Sequence, residues 1–157
     1  MKAIKPCLWF DTNAEEAANY YVGIFPDSGI SQITRNPPGM PNPEGSVLTV
    51  SFTLRGEEFL ALNGGPMFIF NEAISLYVNC KDQAEIDYYW EKLGEGGSEM
   101  ACGWIKDKYG VAWQIVPEQF MQWINADDME TAQRVLSAMM TMVKFDLAAL
   151  EAAYSGQ

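Results

Sequence analysis

The sequence predicts an α+β fold of two βαβββ modules followed by a C-terminal helical tail. The first observation behind this is a repeat. Leu8-Trp9-Phe10-Asp11 leads into Ala14 to Phe25 with the pair Tyr20-Tyr21, and Leu76-Tyr77-Val78-Asn79 leads into Asp82 to Leu93 with the pair Tyr88-Tyr89, both at one offset of 68 residues without a gap. The second is order, since each copy reads strand, helix, then further strands. The third is a change of period beyond Pro117, where apolar residues recur at helical spacing. Two copies are too few for an open array, so the repeat reads as paired modules sharing a groove in which a ligand is held.

Taken in order, Lys5 to Phe10 reads as a strand, with Met1 to Ile4 running directly into it. Asn13 is placed to cap a helix with Glu15 and Glu16 in its first turn. Ala14, Ala17, Ala18, Tyr21 and Phe25 form its apolar stripe, and Pro26 stops it. Ser28 to Arg35 is the next strand. Asn36 to Gly45 holds four prolines and two glycines and reads as a loop, placed to close over a groove or to serve as a surface connection. Ser46 to Leu54 alternates, with Val47, Thr49, Ser51 and Thr53 on one face and Leu48, Val50, Phe52 and Leu54 on the other. Arg55-Gly56-Glu57 makes a hairpin turn and Glu58 to Asn63 returns. Gly64-Gly65-Pro66 begins the link to the second module. There, Asn71 to Cys80 is a strand and Asp82 caps a helix presenting Ile86, Tyr89, Trp90 and Leu93. Met100 to Lys106, a turn at Asp107 to Gly110, and Val111 to Val116 complete the module. Asp127 or Asp128 caps a helix carrying Met129, Ala132, Val135, Leu136, Met139, Met140 and Val143, and Asp146 caps a last one with Leu147, Leu150 and Ala153. The organisation expected is residues 1–117 as one domain of paired modules (about 1–66 and 67–117), with 118–157 as a helical extension.

Composition narrows the chemistry. A hydrophobic fraction of 48% supplies a buried interior. Ten Lys and Arg against 21 Asp and Glu give a net charge of −11, which repels phosphate backbones and anionic lipid, so neither nucleic acid nor membrane is an expected partner. No apolar stretch approaches a membrane span and none opens the chain as a secretory signal does, so a cytoplasmic protein is expected. Cys7, Cys80 and Cys102 are odd in number and widely spaced, and read as reduced, buried thiols. The chain contains no histidine. That removes Ser-His-Asp and Cys-His nucleophiles, the imidazole base, and zinc sites built on imidazole.

Several motifs together resemble the PhnB-like proteins of the glyoxalase/bleomycin resistance/dihydroxybiphenyl dioxygenase (vicinal oxygen chelate) superfamily. They are Leu8-Trp9-Phe10-Asp11 with Asn13-Ala14-Glu15-Glu16-Ala17; Ala61-Leu62-Asn63-Gly64-Gly65-Pro66; Phe70-Asn71-Glu72-Ala73-Ile74-Ser75; Tyr88-Tyr89-Trp90-Glu91-Lys92-Leu93; and Cys102 to Pro117. The tail, Ala132 to Met142 and Lys144 to Tyr154, is similar as well. The resemblance implies a curled mixed sheet around a cleft, and a homodimer. Metal enzymes of the superfamily draw ligands from the first and last strands of each module, places that align here with Pro6, Ala61, Ile74 and Gln114. Of these only Gln114 can coordinate, so no metal and no cofactor are expected. Relatives often carry histidine where Met67 stands. The label 3-demethylubiquinone 3-methyltransferase, attached to part of the subgroup, finds neither a glycine-rich nucleotide loop nor a doubly wound pattern in this sequence.

Three functions follow. One is metal-independent binding of a small, partly aromatic molecule in the cleft. Its expected binding residues are Leu8, Phe10, Asn63, Ile74, Ser75, Trp104 and Gln114, with Trp9, Trp113 and Tyr77 as further stacking surface. The second is a lyase, isomerase or dioxygenase-type enzyme using Glu72, Glu99 or Asp107 as a carboxylate base. The third is an acidic dimeric scaffold or regulator with no small-molecule role. For the homodimer itself, Met139, Met140, Met142, Val143 and Phe145 of the tail are the expected apolar contact, the alternative being a tail that folds back over its own sheet in a monomer.

Overall fold

A computed structural model describes residues 4–157, so Met1 to Ala3 of the expected lead into the first strand lie outside it. The chain divides into two compact units, one ending at Phe70 and the other spanning Asn71–Gln157. The fold is α+β, as the sequence predicts.

The first unit contains β1 (Cys7–Phe10), α1 (Ala14–Ile24), β2 (Gly29–Arg35), β3 (Val47–Leu54) and β4 (Glu57–Asn63), with the strands ordered β1-β4-β3-β2. β1 runs parallel to β4 and the other pairs are antiparallel. Two residues in left-handed conformation, Arg55 and Gly56 (φ 49° and 80°), make the β3–β4 hairpin as tight as the sequence implied. One face of this sheet lies against α1. Tyr21 of α1 stacks on Phe52, Phe52 stacks on its cross-strand partner Phe59, and Val50, Leu54 and Ala61 share that buried face. Because Leu8 pairs with Ala61, Leu8 and Phe10 belong to it too.

The N-terminus of α1 departs from expectation. Asn13 makes no side-chain cap. Instead the Ala14 N–H donates to Asn63 Oδ1 at 2.8 Å, from 49 residues along the chain, while Asn63 Nδ2 donates to the Val47 carbonyl. A tertiary cap satisfies the same orphan N–H as a local one.

On the far face, the Trp9 indole donates to the Gly65 carbonyl at 2.9 Å and meets Phe68 edge-on at 5.0 Å. A Cβ on Gly64 would stand 2.3 Å from the Trp9 ring. The Gly64-Gly65 pair is therefore a contact surface for an indole as well as a chain break. Gly64→Ala is expected to lower unfolding free energy by about 1–3 kcal/mol, the usual cost of overpacking, in urea titrations followed by tryptophan emission. An unchanged midpoint would show that Trp9 moves aside freely.

The second unit repeats the arrangement with β5 (Leu76–Cys80), α2 (Gln83–Gly94), β6 (Ser98–Glu99), β7 (Trp104–Lys106) and β8 (Ala112–Pro117), ordered β5-β8-β7-β6. β5 is shorter than expected. Asn71 to Ser75 instead form a turn in which Asn71 Oδ1 accepts from the Ala73 N–H at 2.9 Å, a side-chain bond that replaces the strand ladder. Asp82 caps α2 as predicted, accepting from Glu85 N–H at 2.9 Å. Ile86, Tyr89, Trp90 and Leu93 of α2 are buried with Val78, Cys80, Ile105, Trp113 and Ile115 of the sheet.

The tail forms α3 (Phe120–Ile124), α4 (Met129–Met139) and α5 (Leu147–Ser155), α3 being a helix the sequence reading omitted. Asp128 and Asp146 supply the caps of α4 and α5. The tail folds back onto its own unit. Val116, Phe120, Trp123, Val135, Phe145 and Leu150 make one buried cluster, and Met139 and Met142 pack against it. The five tail residues expected at a twofold contact divide: Met139, Met142 and Phe145 pack within the unit, while Met140 and Val143 are exposed at 71% and 48%. Among the described residues no helix is long and apolar enough to cross a membrane.

Candidate functional site

Alternation along β5, β7 and β8 sends every second side chain to the face opposite α2. On β5 this is visible directly, since Val78 and Cys80 are buried while Tyr77 and Asn79 are exposed. Register then arranges that far face in rows. Tyr77 pairs with Gln114 and Gln114 with Trp104, giving a row of aromatic, amide and indole side chains across three strands. In the next row Lys106 pairs with Ala112, and Ser75, which directly precedes β5, reaches the face through its side-chain bond to Gln114. On the other side, Asn79 pairs with Val116, and the tail cluster seals that end of the face through Val116.

The polar groups in the rows are organised. Gln114 Nε2 donates to Ser75 Oγ at 2.9 Å, which fixes the amide plane and turns its oxygen the other way. Lys106 forms an ion pair with Glu72 from the turn that precedes β5. Hydrogen bonding from Lys106 holds the Glu72 carboxyl below its ordinary value. Burial, with the nearby Cys80 adding to it, raises the Tyr77 phenol, so Tyr77 stays a neutral hydroxyl at physiological pH. The face offers two aromatic surfaces, a fixed amide, a hydroxyl and one paired cation. That set suits a planar ligand with polar edges.

The residues singled out from sequence fall into three groups. Ser75, Trp104 and Gln114 come together on this face, with Tyr77 beside them. Ile74 stands in the adjoining turn, 79% exposed and outside the strand. Leu8, Phe10 and Asn63 do other work: Leu8 and Phe10 lie on the α1 side of the first sheet, where Phe10 packs edge-on against Phe70, and Asn63 caps α1. Their expected phase was wrong because the buried face of β1 is the helix-packed one. Trp113 is likewise core, 2% exposed, with its indole donating to Asp107 Oδ2 at 2.8 Å. Cys7 is exposed rather than buried, since it opens β1, and partial desolvation raises its thiol pKa. Lys106 was missed, although its place two residues after Trp104 on a strand was the available signal.

The three candidate carboxylate bases are already engaged. Asp107 is buried and accepts from the N–H groups of Tyr109 and Val111 and from the Trp113 indole. Glu99 accepts from the Trp90 indole at 2.8 Å. Glu72 reaches the face, but its lowered pKa makes it a weak base.

Trp9 pairs with Leu62 as Tyr77 pairs with Gln114, and Trp9 and Tyr77 are repeat equivalents, so Leu62 is the counterpart of Gln114. Ala61 faces α1, which corrects the alignment that grouped it with Gln114. The far-face counterpart of Ser75 at the 68-residue offset is Cys7. In the first unit Leu62 offers no donor atom, in the second the Gln114 amide is bound to Ser75, and among the described residues no group of three or more Cys, Asp or Glu could hold an ion.

A surface cavity of about 550 Å³ lies elsewhere in the second unit, between α2 and α5. Much of its polar lining is spent internally: Lys144 Nζ sits 2.5 Å from Asp87, and Gln83 bridges the Phe145 carbonyl and the Leu147 N–H. These contacts dock the tail.

The family described as 3-demethylubiquinone-9 3-methyltransferase matches residues 2–116. Among solved structures, a putative 3-demethylubiquinone-9 3-methyltransferase, PhnB protein, from Bacillus cereus is 38% identical, with a TM-score of 0.67 over 72% of this chain and 97% of that one. Protein PA1353 from Pseudomonas aeruginosa is 21% identical, with a TM-score of 0.58 over 72% and 95%. The fosfomycin resistance protein FosX from Listeria monocytogenes, solved with Mn(II) and sulfate, is 15% identical, with a TM-score of 0.51 over 72% and 90%. The last two are likenesses of fold. A search of curated proteins finds no match. Each sheet here is mixed, with one parallel pair, and neither has the doubly wound parallel order that carries a nucleotide loop.

Proposed function

We propose, on the premise that this chain belongs to the PhnB family described as 3-demethylubiquinone-9 3-methyltransferase, within the glyoxalase/bleomycin resistance superfamily, that it binds a small, partly aromatic molecule without a metal. The binding wall is the far face of β5, β8 and β7. The observation that carries this reading is the row Tyr77–Gln114–Trp104, with the Gln114 amide held by Ser75. Stacking surface beside a fixed amide is the usual composition of a small-molecule site, where aromatic area supplies affinity and a few polar groups set orientation.

The test is a calorimetric and tryptophan-quenching screen of small aromatic compounds with EDTA present throughout. A binder should lose about three- to tenfold in affinity in Trp104→Ala, the scale of one aromatic contact. Gln114→Leu should change which compounds bind while leaving thermal unfolding nearly unaltered. Binding that appears only when a divalent metal is restored overturns the metal-free reading. Equal affinity in all three proteins removes this face as the site.

The same reading includes a homodimer in a cytoplasmic setting. Met67, Phe68 and Ile69 are 58–89% exposed in succession, an apolar run that a second copy would cover. The three cysteines are free thiols, as a reducing compartment maintains them.

A further inference from the structure

Resting on that reading of the far face, we infer that the face selects a planar ligand bearing one anionic group, received at Lys106 Nζ where the Glu72 carboxylate now sits. Lys106 is carried by β7, two residues from Trp104 and so on the same face. It is paired across to Ala112, which contributes no side-chain polar group, and the Gln114–Ser75 hydrogen bond lies alongside. A ring lying on Trp104 would thus have the fixed amide on one side and an ammonium on the other.

Glu72 differs in kind from the rest of the site. It comes from the Asn71–Ser75 turn, outside any strand, and the side chains of the pair are 32% (Lys106) and 42% (Glu72) exposed. A partly exposed ion pair of this sort contributes little stability, because solvent screens it and holding two long side chains costs entropy. Replacing Glu72 with a ligand carboxylate therefore exchanges one equivalent pair for another, and the stacking on Trp104 is the net gain. A neutral ligand would leave Glu72 in place and forgo the charged contact. The net charge of −11 disfavours anions at long range, so a cation within the site is what makes an acidic ligand admissible.

The experiment compares naphthoate with the isosteric, neutral naphthamide, by NMR titration of the full chain at low and physiological salt. The acid should bind about five- to tenfold more tightly, as expected for one charge-assisted hydrogen bond. Lys106→Met should bring the two compounds level. Glu72→Gln should strengthen only the acid, because its competitor is gone. Circular dichroism and thermal unfolding check that both variants fold. Equal binding of acid and amide by the wild type, or an acid preference that survives Lys106→Met, overturns this inference and leaves the binding face standing. If neither compound shifts any far-face resonance, the ligand-binding reading fails with it.

Discussion

Asp107→Ala is expected to destabilise the second unit by about 3–5 kcal/mol, because it leaves buried donors unmet at one point. Asp107 is 3% exposed, and its two oxygens accept from Tyr109 N–H at 2.8 Å, Val111 N–H at 3.1 Å and the Trp113 indole at 2.8 Å. Its backbone closes the same turn, with Asp107 N–H donating to the Val111 carbonyl and Gly110 N–H to the Asp107 carbonyl. The carboxylate therefore orders the reversal that brings β7 beside β8, and so sets Lys106 and Trp104 opposite Ala112 and Gln114. Asp107→Asn should fall between, since one oxygen still accepts while the new amide hydrogens face donors. Urea unfolding followed at Trp113 measures both. A loss under about 1 kcal/mol for the alanine variant, together with lost ligand handling, would instead give Asp107 a chemical role and revive the carboxylate-base alternative.

Phe145→Ala should cost about 3–5 kcal/mol, the range for deleting a buried aromatic. Phe145 is 1% exposed, stacks on Phe120 with ring centroids 5.6 Å apart, and lies where a Cβ on Gly103 would come within 2.9 Å of it. The preceding residues dock as an added edge, with Cys102 N–H donating to the Met142 carbonyl and Gly103 N–H to the Val143 carbonyl. Gly103, at φ +77°, supplies both the left-handed backbone and the space. Truncation after Asn125 removes Val135, Phe145 and Leu150 together and should leave the second unit unable to fold cooperatively. Light scattering separates this from an assembly role. If the tail were chiefly an intermolecular contact, Phe145→Ala would dissociate a dimer and leave monomer stability unchanged. Serine at the exposed Met140 and Val143 probes assembly without touching the core.

The sequence by itself determined the repeat and the order of its main elements, while the short β6 and α3 and the starts of β5 and β7 escaped it. The features it determined depend on neighbours close along the chain: the alternation of Val47 to Leu54, the stripe of α1, the caps at Asp82 and Asp146, and the turn at Arg55-Gly56, while the choice of Asp128 over Asp127 as the cap of α4 came from the structure. The 68-residue offset survives in three dimensions as Trp9 and Tyr77 at matching register positions. Grouping Ser75, Trp104 and Gln114 was also within reach, because they lie in two of the motifs that carry the family resemblance, Phe70 to Ser75 and Cys102 to Pro117.

Tertiary structure decided which face of each strand a helix covers. Alternation separates two faces without saying which is which, and β1 shows the consequence: Leu8 and Phe10 are apolar enough for either side, and only Tyr21 stacked on Phe52 fixes them beneath α1. Contacts between residues far apart in sequence were likewise hidden. Asn63 capping a helix 49 residues earlier, Gly64 accommodating Trp9, and Glu72 meeting Lys106 leave no periodic trace, because each depends on one pair of side chains brought together by strand order. The tail follows the same logic. Its apolar stripe announced a buried surface, but whether a second copy or the chain's own sheet would cover it rested on Gly103 leaving room for Phe145.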